Sequence, residues 1–229
     1  MSAFYRWIYK TFHRPLIALY RIEIQGGENI PEGGCILASN HTSLTDVLVL
    51  SASVGGRQIR YMAKSELFRI PLFSKLIRAL GAYPVNRGGT DVRSIKTAVR
   101  LVEDGEMLGI FPQGTRRGGV DPRTTDVKGG VGLIAYQTKA DVLPVFIDNK
   151  SRKTKMFHRN RVIFGPVISY GELGLNAGGM SEYRSAAQYI FGRICELGFG
   201  TETDGGAESP DAENRSGEAG AKDAPGGES

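Results

Sequence analysis

Along residues 22–197, short apolar runs of strand length alternate with longer segments of helical periodicity. That alternation narrows the available folds more than any other feature of the chain. Residues 22–24, 35–39, 60–63, 82–85, 107–111, 142–147 and 161–168 read as strands, the first as an edge strand. Helical segments follow Thr42 and cover residues 72–80, 91–101, 131–138 and 181–197. Within 72–80, Phe73, Leu76, Ile77 and Leu80 recur at helical spacing; within 91–101, Val92, Ile95 and Val99 share one face, and Gly105 stops the helix soon after. Strands that alternate with helices predict an α/β layered fold with a largely parallel central sheet flanked by helices. The polar, Gly-rich stretch 118–130 reads as a mobile loop.

The first strand-to-helix junction carries chemistry. Asn40-His41-Thr42-Ser43-Leu44-Thr45-Asp46 follows the apolar run Cys35-Ile36-Leu37-Ala38 and precedes Val47-Leu48-Val49-Leu50. Residues five apart on one helix lie about 140° apart, so His41 and Asp46 meet only if His41 sits in the turn and Asp46 in the first helical turn. The carboxylate then fixes the imidazole's tautomer and stabilises the imidazolium formed when it takes a proton. Ser43-Leu44-Thr45-Asp46 also fits a capping box, in which Asp46 serves only backbone donors. Two later segments carry an apolar run into a loop with a basic residue: Gly81-Ala82-Tyr83-Pro84-Val85-Asn86-Arg87 and Phe111-Pro112-Gln113-Gly114-Thr115-Arg116. Arginines at strand ends of an α/β sheet suit bidentate binding of phosphate, or are plain surface residues of loops.

In this order and spacing the segments resemble the glycerophospholipid acyltransferase family, which includes the 1-acyl-glycerol-3-phosphate acyltransferases. Asn40-His41-x4-Asp46 matches that family's N-H-x4-D block, and Gly81-x3-Val85-x-Arg87 its G-x3-V-x-R block. Phe111 to Arg116 is similar to its F-P-E-G-T-R block, and Leu143-Pro144-Val145 to its V-P-V block. The resemblance spans roughly residues 20–170. It implies that His41 is the general base, activating a glycerol hydroxyl to attack an acyl thioester, and that Asp46 orients it. It implies that Arg87 and the Gly114-Thr115-Arg116 turn hold the phosphate of lysophosphatidic acid, with phosphatidic acid as product. The donor is acyl-CoA or an acyl carrier protein; no further cofactor and no metal is implied. Gln113 stands where the family has Glu, which keeps the size and removes the charge. It is expected to contact substrate, and it leaves open another lysophospholipid or an amino lipid as acceptor. Backbone amides at the start of the helix after His41 are candidate oxyanion donors. A hydrolase would need Ser39 or Ser43 as nucleophile, and neither lies in a G-x-S-x-G elbow. A non-catalytic lipid-binding scaffold would not need His41.

Charge divides the chain unevenly. The net +5 of its 229 residues conceals eight acidic and two basic residues in 201–229, which leaves residues 1–200 at a net +11. The tail carries no aromatic residue and reads as disordered. The basic body points to an anionic partner. Nucleic acid is not expected, since no zinc-finger spacing, helix-turn-helix or aromatic sheet motif is present. The basic stretch 150–161 is a solvated loop or a contact for lipid headgroups or an acidic carrier protein. The three histidines, His13, His41 and His158, lie far apart, without metal-ligand spacing.

Residues 1–21 form the remaining signal. Projected at 100° per residue, Phe4, Ile8, Phe12, Leu16 and Leu19 share one arc flanked by Tyr5, Tyr9 and Tyr20. Arg6, Lys10, Arg14 and Arg21 lie opposite with His13; Ile17 breaks the pattern and Pro15 predicts a kink. Such a segment is expected either to lie in a membrane interface or to pack its apolar stripe on the domain. No run approaches the roughly 20 apolar residues that span a bilayer. The expected organisation is a membrane-association segment at 1–21, an acyltransferase domain at 22–200 and an acidic tail at 201–229. The expected place is the cell membrane, peripheral or monotopic on the cytoplasmic face.

Overall fold

The computed structural model describes residues 3–86 and 91–200. The expectations placed on Arg87 and on the 201–229 tail lie outside the described residues. Seven strands form one sheet in the order β1-β7-β6-β2-β5-β3-β4. They are β1 Ile22–Gln25, β2 Cys35–Ser39, β3 Ile59–Lys64, β4 Ala82–Val85, β5 Met107–Ile110, β6 Val142–Asp148 and β7 Asn160–Phe164. The helices are α1 Ala3–Leu19, α2 Asp46–Ser53, α3 Pro71–Ala79, α4 Val92–Glu103, α5 Gly130–Thr138 and α6 Met180–Phe199.

The sheet is largely parallel, as the alternation predicts. β2 pairs in parallel with β5 and β6, and β3 with β5 and β4. β7 reverses, running antiparallel to β6, and β1 runs in the same direction as β7. The ends of β2, β3, β4, β5 and β6 therefore open on one edge of the sheet. Every residue of β2 is buried because helices cover both faces. Alternate residues separate the two layers: Ile36 and Ala38 join a core with α4, α5 and α6, while Cys35 and Leu37 join one with α1 and α2.

Helix α1 departs from its expected wheel in two ways. It continues through Pro15, which is exposed and has no N–H to offer the Thr11 carbonyl. Its apolar arc is also divided. Leu16, Leu19 and Ile17, the residue that broke the pattern, pack on the core with Tyr20, and Tyr5 is buried with its hydroxyl donating to the Arg57 carbonyl (3.2 Å). Phe4, Trp7 and Phe12 remain exposed. The segment thus packs part of its apolar arc on the domain and leaves the Phe4–Trp7 pair, with ring centroids 6.1 Å apart, facing outward. No helix among the described residues is long and apolar enough to cross a membrane.

Candidate active site

β2 ends at Ser39, and Asn40 fastens the chain beyond it. The Asn40 side chain accepts from the Ile147 amide (2.8 Å) and donates to the Ile147 carbonyl (3.0 Å), so it extends the pairing with β6. His41 then sits in the turn and Asp46 opens α2, the arrangement in which the two can meet. His41 Nδ1 lies 2.8 Å from Asp46 Oδ2. The carboxylate can only accept, so Nδ1 carries the proton and Nε2 is left as the basic nitrogen. The His41 side chain is 14% exposed and that of Asp46 0%.

A buried carboxylate costs several kcal/mol unless its lone pairs are filled. Here Asp46 Oδ2 also accepts from the Thr42 amide (2.6 Å) and the Ser43 amide (2.8 Å). Oδ1 accepts from the hydroxyls of Thr42 (3.1 Å) and Thr154 (2.5 Å). The two readings of Asp46 are therefore not alternatives, because one oxygen caps the turn and holds the imidazole. The same bonds narrow another expectation. The amides of Thr42 and Ser43 are committed to Asp46 and cannot serve an oxyanion.

The imidazole is fixed in plane as well as in tautomer. Its ring stacks on Phe111, the centroids 3.9 Å apart and the planes 13° from parallel. The backbone of His41 is held at both ends. Its amide donates to Gln113 Oε1 (2.7 Å) and its carbonyl accepts from the Arg117 amide (2.7 Å). Gln113 is only 3% exposed, and its Nε2 donates to Thr125 Oγ1 (2.7 Å), which itself donates to the Pro122 carbonyl (2.7 Å). Both ends of the amide are thus engaged within the protein. A carboxylate at this position would have no donor for Thr125.

The Gly114 amide closes the turn Phe111 to Gly114 on the Phe111 carbonyl (2.9 Å), and Gly114, Thr115 and Arg116 leave it exposed. Gly114 has φ +67°, which explains the glycine. The Arg116 side chain has no partner among the described residues. The stretch expected to be mobile is tied down beyond it: Gly119 donates to the Arg152 carbonyl (2.9 Å) and Lys128 to the Pro112 carbonyl (2.9 Å). A Cβ on Gly118 would stand 2.6 Å from the Thr42 carbonyl oxygen, so only glycine passes the catalytic turn there. A cavity of about 140 Å³ opens beside His41, lined by Arg117, Lys150 and Arg152 together with Val120, Phe146 and Phe199. The basic loop after β6 thereby reaches the site. Arg152 shares Asp121 with Arg123, and the Arg123 guanidinium holds the Asp121 carboxyl down at about 2.

Neither serine offered as a nucleophile bonds to His41. The Ser39 hydroxyl is buried on Asn40, and that of Ser43 pairs with Thr45 (3.1 Å). Thr42, Phe111, Thr154 and the bracing role of Gln113 escape sequence reasoning. Thr42 and Phe111 adjoin or lie within quoted motifs, whereas nothing marks Thr154, 108 residues from Asp46.

Residues 21–148 match the Acyltransferase family model. The chain is 32% identical over 142 residues to the 1-acyl-sn-glycerol-3-phosphate acyltransferase of Bacillus subtilis (strain 168), covering 62% of this chain and 69% of that one. The enzyme of the same name from Streptococcus pneumoniae is 28% identical over 201 residues, covering 82% and 74%. The crystal structure of the 1-acyl-sn-glycerophosphate (LPA) acyltransferase PlsC from Thermotoga maritima shares the fold, with a TM-score of 0.59, 24% identity and coverage of 84% and 77%. Fold, motif order and family model coincide on residues 21–148, and this chain belongs to the acyltransferase family.

Proposed function

We propose that the protein transfers a fatty acyl group from an acyl thioester to the free hydroxyl of 1-acyl-glycerol 3-phosphate, forming phosphatidic acid. The observation that carries this is the 2.8 Å contact between His41 Nδ1 and a fully buried Asp46. His41 Nε2 takes the hydroxyl proton as the oxygen attacks the thioester carbonyl, and Asp46 stabilises the imidazolium. The tetrahedral intermediate then expels the thiolate, which recovers the proton from His41. The chain supplies base, orientation and charge, and the thioester supplies the activated acyl group. Coenzyme A or an acyl carrier protein carries that thioester.

Arg116 and Arg87 hold the acceptor's phosphate, with the Gly114-Thr115 turn beside it. The amides of Thr115 and Arg116 bond to nothing among the described residues and are left to meet the oxyanion. Gln113 acts through His41, whose amide it accepts (2.7 Å). The relatives' names favour a lysophosphatidic acid acceptor. The outer flank of α1, with Phe4, Trp7, Arg6 and Lys10, lies on an anionic membrane, and the protein is peripheral on the cytoplasmic face. The test pairs labelled acyl-CoA and labelled acyl carrier protein with a panel of lysophospholipids and amino lipids. Phosphatidic acid is the expected product. Transfer to another acceptor, with none to lysophosphatidic acid, refutes the assignment.

A further inference from the structure

We infer that α3 and the short turn before it form a lipid-facing rim that brings the surface of an anionic bilayer to His41. The inference rests on the lipid acceptor proposed above. β3 ends at Lys64 on the same edge of the sheet as His41, because β2, β5 and β3 are mutually parallel. The chain there enters a short turn, Ser65–Arg69, and then α3. None of the nine residues of α3 is buried. Leu67, Ile70, Leu72, Phe73 and Leu76 are all exposed, Leu72 to 83%. A helix in a soluble layer hides such a stripe against its neighbours, and one that keeps it exposed marks an interaction surface.

The charges identify the occupant. Arg69, Lys75 and Arg78 are exposed among these apolar side chains, and α3 contains no acidic residue. Glu66, the carboxylate of the short turn, is paired with Lys64 at 3.1 Å. Apolar and basic side chains on a short helix match an anionic bilayer surface, where the apolar side enters the acyl boundary and cations meet phosphates. The rim continues around the edge that carries His41, where Leu44 and Phe157 are 70% and 71% exposed. α1 meets this edge by its last turn, where the Leu19 carbonyl accepts from the Phe157 amide (2.7 Å). Its first turns lie at the opposite edge, where the Tyr5 hydroxyl reaches the Arg57 carbonyl and Gly56 lies against the Tyr9 ring.

The test is Leu72→Ser/Phe73→Ser in the full chain, with a Lys75→Glu variant beside it. Vesicles of phosphatidylcholine with phosphatidylglycerol present long-chain lysophosphatidic acid; a short-chain analogue is supplied as a soluble monomer. Burying a large apolar side chain is worth about one order of magnitude in partitioning, so the double variant is expected to bind vesicles at least about tenfold more weakly. Its activity on vesicle-borne acceptor falls in proportion, and activity on the monomeric acceptor stays within about twofold. Lys75→Glu weakens binding chiefly at low salt. Wild-type vesicle binding by the double variant overturns the inference, as does an equal loss on both acceptors. So does a change in sedimentation alone, which would make α3 a contact between copies of the chain. If the wild type acylates neither acceptor, the acceptor assignment fails, while co-sedimentation of the same proteins with vesicles still decides the rim.

Discussion

Thr154→Val asks whether the site depends on a residue no motif contains. The Thr154 hydroxyl donates to Asp46 Oδ1 at 2.5 Å, both residues are buried, and valine keeps the shape without the donor. Asp46 keeps His41, the amides of Thr42 and Ser43, and the Thr42 hydroxyl. One hydrogen bond to a charged group is therefore lost, worth about 1.5–3 kcal/mol. In a chain of this size that lowers the melting temperature by roughly 3–12 °C. The His41–Asp46 pair itself survives, so kcat on the plateau falls by no more than about tenfold. Thr154→Ser retains the hydroxyl and is expected to match the wild type more closely. Thermal denaturation and plateau kcat of the three proteins give the answer. If serine and valine are equally damaging, or valine is silent in both measurements, the hydroxyl does not support Asp46 and the reasoning is wrong.

His41→Ala is expected to lower kcat by about 10²–10⁴-fold while the circular dichroism spectrum stays native; full turnover by a folded variant leaves the base elsewhere. Arg116→Ala removes an exposed cation without an internal partner, so acceptor KM rises about tenfold or more and donor KM is nearly unchanged. An effect on the donor alone misplaces the phosphate. Burial pushes the thiols of Cys35 and Cys195 up to about 11 from 9.0, so neither is alkylated in the native protein at pH 8 and both are after unfolding. The raised folded values also mean that this contribution to stability is present below about pH 9 and is lost as pH rises through about 11, which denaturation across that range measures. Phe4→Ser/Trp7→Ser weakens vesicle binding without lowering the melting temperature, because these side chains face outward, whereas Tyr5→Ala lowers it because Tyr5 is buried. Unaltered vesicle binding removes the outer flank of α1 from the membrane contact.

The sequence by itself determined the alternation of strands and helices, and with it the parallel sheet, because periodicity is local and each element writes its own. It also determined the meeting of His41 with Asp46. Five residues spanning a turn and one helical turn leave little freedom, and β2 and α2 are both legible from their apolar runs. What only the tertiary structure decided is what surrounds that pair. Thr154 reaches Asp46 because the loop after β6 folds over the end of β2, a contact between segments 108 residues apart that no spacing announces. Gln113 became the brace of the His41 backbone through its approach to Thr125 and the His41 amide, neither of which is local. α1 shows the same division. Its wheel announced an amphipathic helix, but which residues of a broad apolar arc turn inward depends on the surface that receives them. That surface, formed by α2 and the sheet, took Tyr5, Ile17 and Tyr20 and left Phe4, Trp7 and Phe12 outside.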